Sequence, residues 1–376
     1  MLLRFFSLAA AFSSSTPYLR TDLFMLTTDP VLGSSGSASH PRIRFEKSIE
    51  GLAQALIALQ AQARGPAVAT DAEKRALLVV HEPALLRIAS ALAEYSAAGE
   101  ALPSEVQASY RGYTHELVHP LMLQSPFARR CFEKPLGYAG DYVMVRYIVG
   151  EPLQGETAFA QLMNFVLQQA DVAQGHRNRI DVLEKLLCER AATAHTAERT
   201  ARGMTIGCGP AEETYRFIKS SPHADSLELT LVDFNRETLD WTSDRLLQAC
   251  LQTKRKPRLD FVQESVVNLA RRRADSIAPE FDFVVCAGLF DYFSDAVCSR
   301  VIQFGARSLS PGGTLVVTNV SRCASSFSMS QLLEWDLVYR SAEHLESLLP
   351  RVDGYSSKVY VDSTGTNVVA EVRRVS

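Results

Sequence analysis

Near residue 200 the hydrophobic period of this 376-residue chain changes, and that change limits its possible folds more than any other feature. From Phe45 to about Arg190 the apolar residues recur three and four apart. Ile49, Leu52, Leu56 and Leu59 form one stripe, Leu85, Leu86, Ile88, Leu92 and Tyr95 a second, and Ile180, Leu183 and Leu187 a third. This spacing follows the turn of an amphipathic helix. Gly65-Pro66 and Leu102-Pro103 break the pattern into separate helices, because proline lacks an N–H and restricts the residue before it. The last stripe predicts a long helix from Asp171 to Arg190. After Thr200, short apolar runs alternate with amphipathic stretches: Met204-Thr205-Ile206, Leu227 to Val232, Leu259 to Val262, Phe281 to Cys286, and Thr314 to Thr318. Strands that alternate with helices imply βαβ units and a mainly parallel sheet. The end differs: Lys358 to Val361 and Val368 to Val372 flank the turn-like Ser363-Thr364-Gly365-Thr366. That is a hairpin, so the last strand is expected to run antiparallel.

Composition excludes several classes of protein. Net charge is −3, which argues against a dedicated nucleic-acid binder. The basic runs Lys254-Arg255-Lys256-Pro257-Arg258 and Arg271-Arg272-Arg273 lack interleaved aromatics and read as solvated loops beside the third strand. No stretch approaches the roughly 20 uninterrupted apolar residues of a membrane span. The seven cysteines are scattered singly without CxxC pairs, as in a cytoplasmic protein with reduced, packed thiols. Met1 to Phe12 weakly mimics a signal peptide but lacks a good cleavage site, and Ser13 to His40 is rich in Ser, Thr, Gly and Pro. Residues 1–44 are therefore expected to be a disordered extension, with Met25 as an alternative start. Residues 45–195 are expected to form a helical cap or lid and residues 196–376 the sheet domain. The oligomeric state stays open.

Ile206-Gly207-Cys208-Gly209-Pro210-Ala211 joins the first strand to the helix beginning near Glu212. Glycines there let the backbone turn sharply and approach a ligand at the sheet's carboxyl edge. A tight strand-to-helix turn would need the same residues, so the strand ends around the loop must decide. Leu231-Val232-Asp233 ends the second strand, close to the distance of about 20 residues at which a ribose-binding acid sits in such folds. Phe234 and Asn235 follow it. Phe261-Val262-Gln263-Glu264-Ser265 ends the third strand, where Glu264 and Ser265 can bracket an adenine. Val285-Cys286-Ala287-Gly288-Leu289-Phe290-Asp291-Tyr292 ends the fourth, and Leu309-Ser310-Pro311-Gly312-Gly313-Thr314-Leu315 makes the turn before the fifth.

Together these motifs resemble class I S-adenosylmethionine-dependent methyltransferases, from Met204 to the C-terminus. The resemblance implies a Rossmann-like α/β fold with a seven-stranded, mainly parallel sheet, an antiparallel C-terminal strand and an N-terminal helical cap. It implies S-adenosylmethionine as cofactor, bound by Gly207, Cys208, Gly209, Asp233, Phe234, Asn235, Glu264, Ser265, Ala287 and Gly288. A dinucleotide fingerprint would need a third glycine where Glu212 stands, and a glutamate at the helix start would oppose a pyrophosphate. Such methyltransferases often carry an acid two positions before the first glycine. Here that position is Thr205, so the cofactor's amino-acid end is expected to be held differently.

In the N-terminal half, Ser125-Pro126-Phe127-Ala128-Arg129-Arg130, Glu133 to Tyr142 and His176-Arg177-Asn178-Arg179 are dense in glycine, aromatic and charged residues. A loop and capping network explains most of them. Tyr138 and Tyr142 can also stack on a ligand, and Arg177 and Arg179 can bind a carboxylate. With Trp335 to Arg340, these blocks resemble bacterial enzymes of 3-hydroxypalmitic acid methyl ester biosynthesis, over roughly Ser125 to Arg373. The resemblance implies O-methylation of a fatty or 3-hydroxy carboxylic acid, or of a secondary-metabolite acid, with Tyr138, Arg177 and Arg179 binding the small-molecule substrate. Asp291 would serve as base or orienting acceptor, Tyr292 would stand beside the sulfonium, and Tyr142 would join them. Relatives that cyclise S-adenosylmethionine to azetidine-2-carboxylate and methylthioadenosine supply an alternative. A further alternative lies in His115-Glu116-Leu117-Val118-His119, the HExxH pattern of a zinc protease. Pro120 is expected to spoil helical geometry at His119 and no third ligand is evident, so a helix surface and no metal are expected.

Overall fold

The computed structural model describes residues 40–271 and 280–375. Most of the extension expected over residues 1–44 lies outside them, as do Arg272 and Arg273. From Pro41 the chain is already helical, because proline at a helix start gives up an N–H that has no partner there. Helices α1 (Pro41–Gln62), α2 (Asp71–Glu100), α3 (Ser104–Met122), α4 (Pro126–Glu133), α5 (Tyr142–Val149), α6 (Ala158–Leu167) and α7 (Asp171–Thr196) precede the sheet. The alternating part runs β1 (Ala201–Ile206), α8 (Glu212–Ser220), β2 (Leu227–Asp233), α9 (Arg236–Thr253), β3 (Arg258–Gln263), α10 (Val266–Ala270), β4 (Phe281–Cys286), α11 (Asp295–Arg307) and β5 (Leu309–Val320). It closes with α12 (Ser326–Leu333), α13 (Ala342–Ser347), β6 (Tyr355–Val361) and β7 (Asn367–Arg374).

The described residues form two compact units. The first takes those up to Gly140 with Tyr147–Gln174 and Ala324–Asp336, and the second takes Asp141–Arg146, Gly175–Cys323 and Leu337 onward. Short segments before β1, including most of α7, thus pack with the sheet.

In the first unit, Ile49, Leu52, Leu56 and Leu59 of α1 are all buried, as the stripe predicts. On α2 the buried residues are Leu78, Leu85, Ile88 and Tyr95, whereas Leu86 and Leu92 are only partly covered. A capping box starts α2: the Thr70 side chain accepts from Glu73 N–H while Glu73 accepts from Thr70 N–H, an arrangement worth about 1 kcal/mol. Among the described residues α2 is long and apolar enough to cross a membrane by length and composition, with a mean hydropathy of 1.5 over its most apolar stretch. Here it packs against α1. Pro120 does not end α3, which continues to Met122. His115 and His119 therefore stack with ring centroids 3.8 Å apart, and their Nε2 atoms lie 2.8 and 2.9 Å from the carbonyl oxygens of Gln331 and Leu332. Pro120 costs α3 the N–H bond to Glu116 O, but only Leu121 and Met122 follow it, so the disturbance stays in the last turn. Among the described residues no group of His, Cys, Asp or Glu is arranged to hold a metal ion.

In the second unit, the seven strands lie in the order β3-β2-β1-β4-β5-β7-β6. β1 to β5 are parallel, and β7 runs antiparallel to both β5 and β6. This is the Rossmann-like sheet, with the reversed last strand, that the alternation and the hairpin imply. The chain winds outward from β1 to β3, then returns to start β4 on the other side of β1. The β1/β4 gap is the topological switch point, where such sheets bind ligands. Both faces are covered: Ile180 and Leu183 of α7 are buried, and Leu183 and Leu187 pack on one face of the sheet while Val301 and Ile302 of α11 pack on the other. One local expectation fails. The Ser310–Gly313 region is not a turn before β5 but belongs to it, and the register with β4 jumps between Phe281–Leu309 and Phe283–Thr314. The glycines absorb an irregularity, as at a β-bulge.

The carboxyl ends of β4 and β5 are stitched together by Arg340. Its side chain is wholly buried. It donates to Phe290 O (2.8 Å), Phe293 O (2.7 Å) and Asn319 Oδ1 (2.7 Å), and pairs with Asp295 at 2.7 Å. Arg340→Met is expected to lower unfolding free energy by about 3–5 kcal/mol, because several buried acceptors lose their donor at once. Urea denaturation checks this. A loss below about 1 kcal/mol would show that the acceptors find other partners.

Candidate functional site

Apart from Tyr138, the residues described next belong to the second unit. Gly207 and Cys208 N–H both reach Val232 O, at 2.8 and 2.9 Å, so the loop after β1 folds across the end of β2. Gly207 has φ +68° and packs so closely on Leu289 that a Cβ would collide with it. Gly209 has φ +51°, and a Cβ there would meet nothing. The two glycines thus differ in role: one allows close packing, the other a turn whose outer face is open. Thr242 of α9 donates to Gly209 O at 2.7 Å and pins the turn.

Asp233 sits buried at the end of β2, where its Oδ2 accepts Gly209 N–H and its Oδ1 accepts Asn235 N–H, each at 3.0 Å. Burial raises its pKa while these backbone donors hold it down. Phe234 N–H is a third such donor, so one of the carboxylate's roughly four accepting positions remains. Asn235 caps α9 through Thr238 N–H, and Phe234 beside it is exposed. Glu264 and Ser265 follow β3, but their side chains serve the start of α10: Glu264 accepts from Ser265 N–H and Asn268, and Ser265 accepts from Val267 N–H. Cys208 is buried and its thiol is pushed well up by burial, so it lines the loop as a neutral side chain.

At the switch point, Ala287 and Gly288 follow β4. Gly288 N–H donates to Thr318 Oγ1 of β5 at 3.1 Å. Gly288 has φ +76°, and the Arg179 guanidinium lies 2.9–3.1 Å from where its Cβ would stand. Arg179 comes from α7 and is buried. Its Nη2 lies 2.8 Å from Nδ1 of His176, a ring that burial and Arg179 hold well below its ordinary pKa and so keep neutral. Burial lowers the Arg179 pKa, and the charges of Asp291, Glu213 and Tyr292 oppose that shift. Asp291 is buried, and its Oδ1 accepts Val320 N–H at 2.6 Å. Tyr292 is 36% exposed, so it is not a core aromatic. Burial lowers the Arg177 pKa to about 10.

Tyr142 is buried against α9, with its hydroxyl 3.1 Å from Glu237 Oε1 and its ring 5.3 Å from Trp241. Tyr138 lies in the first unit, half-buried in the turn after α4. The structure thus gathers Gly207, Cys208, Gly209, Asp233, Phe234 and Asn235 at one strand-end cluster and Gly288, Arg179, Asp291 and Tyr292 at the adjoining one.

Glu212 takes a different place from the one expected. Its carboxylate pairs with Arg245 at 2.7 Å and Arg216 at 3.2 Å, which draw it away from any ligand at the loop. The acid near the loop is Glu213. It is buried in the first turn of α8, and burial pushes its carboxyl up to about 7. Its position four residues before the buried Phe217 marks it as facing the sheet, a signal the sequence does carry. Thr318 and Thr242 carry none, because only strand and helix packing brings them to the glycines.

No family profile matches the chain, and no curated protein sequence is similar to it. Solved structures do align. A possible exported protein from Bordetella parapertussis is 14% identical, over 91% of this chain and 99% of its own, with a TM-score of 0.48. Magnesium protoporphyrin IX methyltransferase (ChlM) from Synechocystis PCC 6803 is 14% identical over 61% of this chain and 91% of its own, at 0.42. The N-methyltransferase NodS from Bradyrhizobium japonicum WM9 is 20% identical over 54% and 88%, at 0.35. These values add nothing to the fold already read from the strand order.

Glu213 makes stability depend on pH. A carboxyl that titrates near 7 when folded and near 4.5 when unfolded stabilises the fold least at high pH: the cost grows from about 4.5 and is complete above 7. Glu213→Gln, which cannot ionise, is expected to gain on the parent by on the order of 1–3 kcal/mol between pH 5 and 8. Parallel pH series of denaturation curves check this, and superimposable pH dependences would contradict it.

Proposed function

We propose that this protein is an S-adenosylmethionine-dependent enzyme that modifies a small molecule, most simply by O-methylation of a carboxylic acid of the fatty, 3-hydroxy or secondary-metabolite kind. The observation that carries the reading is the pairing of Asp233, fixed at the end of β2 by backbone N–H groups, with the open turn at Gly209 beside it. Charge supports it as well. Two buried carboxyls, Asp233 and Glu213, flank the loop, a setting that repels a pyrophosphate and suits a cationic, phosphate-free ligand.

When bound, the cofactor supplies an activated methyl group on its sulfonium. Asp233 would hold the ribose hydroxyls, and the backbone of Gly207, Cys208 and Gly209 would pass beside the ligand. Phe234, exposed next to Asp233, offers a face to the adenine, and Asn235, Glu264, Ser265, Ala287 and Gly288 shape the surrounding turns. Tyr292 offers an aromatic face to a cation. Asp291 orients groups through its fixed carboxyl. Arg177 and Arg179 are the proposed contacts for an acidic acceptor, with Tyr142 steadying the start of α9. An ionised acceptor needs no base, so orientation and exclusion of water carry the rate.

One observation favours a second reading. Glu213, held near neutrality, is suited to take a proton from an amine. Such a base would serve cyclisation of the cofactor onto its own amine, with the new C–N bond forming as the C–S bond to methylthioadenosine breaks.

Incubation with S-adenosylmethionine alone, followed by product analysis, separates the two. Methyl transfer predicts no turnover until a carboxylic acid is added and then S-adenosylhomocysteine. Methylthioadenosine without an acceptor would overturn methyl transfer in favour of cyclisation.

A further inference from the structure

His115 and His119, the paired imidazoles of the HExxH pattern, belong to the first unit, where they meet the end of α12. That helix ends at Leu333 and leaves carbonyl oxygens without partners inside it. Met329 O takes the N–H groups of Glu334 and Trp335. Three later carbonyls are met by side chains of α3 and α4. His115 Nε2 lies 2.8 Å from Gln331 O, His119 Nε2 2.9 Å from Leu332 O, and Cys131 Sγ 3.8 Å from Leu333 O. A carbonyl oxygen can only accept, so each ring carries its hydrogen on Nε2 and keeps Nδ1 for a second proton. The rings lie one above the other with centroids 3.8 Å apart, as residues four apart on a helix allow. One positive charge suits the carbonyl end of a helix. A second, stacked on the first, meets direct repulsion.

We propose that His115 and His119 form a pH-sensitive clasp, which holds the end of α12 while the pair carries at most one charge and releases it when both rings are protonated. Ala324–Asp336 is an excursion of the chain into this unit, since Cys323 and Leu337 belong to the second, and the clasp secures its far end. Burial and the charge of His115 hold the His119 ring below its ordinary pKa of 6.5, against the pull of Leu332 O and Glu334. The cost of docking therefore begins as pH falls below about 6.5 and is complete below the depressed value. The other charged groups around the pair are Arg111, Glu116, Lys134 and Glu334. Arg111 Nε reaches Gln331 Oε1 at 3.4 Å, Lys134 pairs with Glu334 at 3.4 Å, and Glu116 is exposed. Each acid near the rings is thus paired or in water, where it offsets little of a second charge.

Hydrogen–deuterium exchange of the full chain, followed by peptide from about pH 8 to about pH 5 and corrected for the intrinsic rate, tests the clasp. In the parent, α12 is expected to lose protection about tenfold over that range while α6, in the same unit, does not. His115→Gln and His119→Gln each keep an N–H for the carbonyl and cannot charge, so each is expected to abolish the loss. Either variant alone suffices should the other not fold, since each leaves a single ring and no repulsion. His119→Phe, which removes the donor, is expected to loosen α12 equally at every pH. A flat parent profile, a loss that α6 shares, or a loss that survives a folded glutamine variant would overturn the clasp.

Discussion

A guanidinium with no contact with water holds the carboxyl edge of this sheet in shape. Arg340 joins the turn after β4, through Phe290 O and Phe293 O, to Asn319 near the end of β5. Two further links run alongside it, Asp291 to Val320 N–H and Gly288 N–H to Thr318. Burying a charge is costly unless its donors are all used. The position of Arg340 therefore demands that these acceptors converge, and beside them Gly288 takes a left-handed conformation against Arg179.

The glycine loop and the acids beside it answer a different constraint. Gly207 is a glycine because Leu289 fills the space a Cβ would need, whereas at Gly209 the backbone turn alone asks for one. Asp233 bridges that turn to the start of α9. The same carboxylate thus fixes the loop and keeps some accepting capacity of its own. Polar groups with this double duty suit a ligand site because their orientation is set before the ligand arrives.

Electrostatics sets the character of the edge. Glu212 is neutralised by Arg216 and Arg245, while burial shifts Glu213, one residue later, upward. The difference of one residue on a helix is a rotation of roughly 100°, from the helix's arginine-bearing side to the sheet.

Much of the fold was legible in the pattern of residues. The helical stripe at Ile49–Leu59, the strand Phe281–Cys286 and the terminal hairpin are local signals, written in periods set by backbone geometry. Asp233 and the two glycines could be picked out as well, because a strand end and a tight turn each restrict residue type over a few positions. What the pattern did not show depends on distant partners: the passage of α3 through Pro120, the extra residues in β5, and the roles of Arg340, Thr318 and Glu213. Side-chain period along the chain determined which residues face a core. Only tertiary packing decided which buried charges meet at the switch point, since their energies depend on neighbours brought together from β1, β4, β5 and α7.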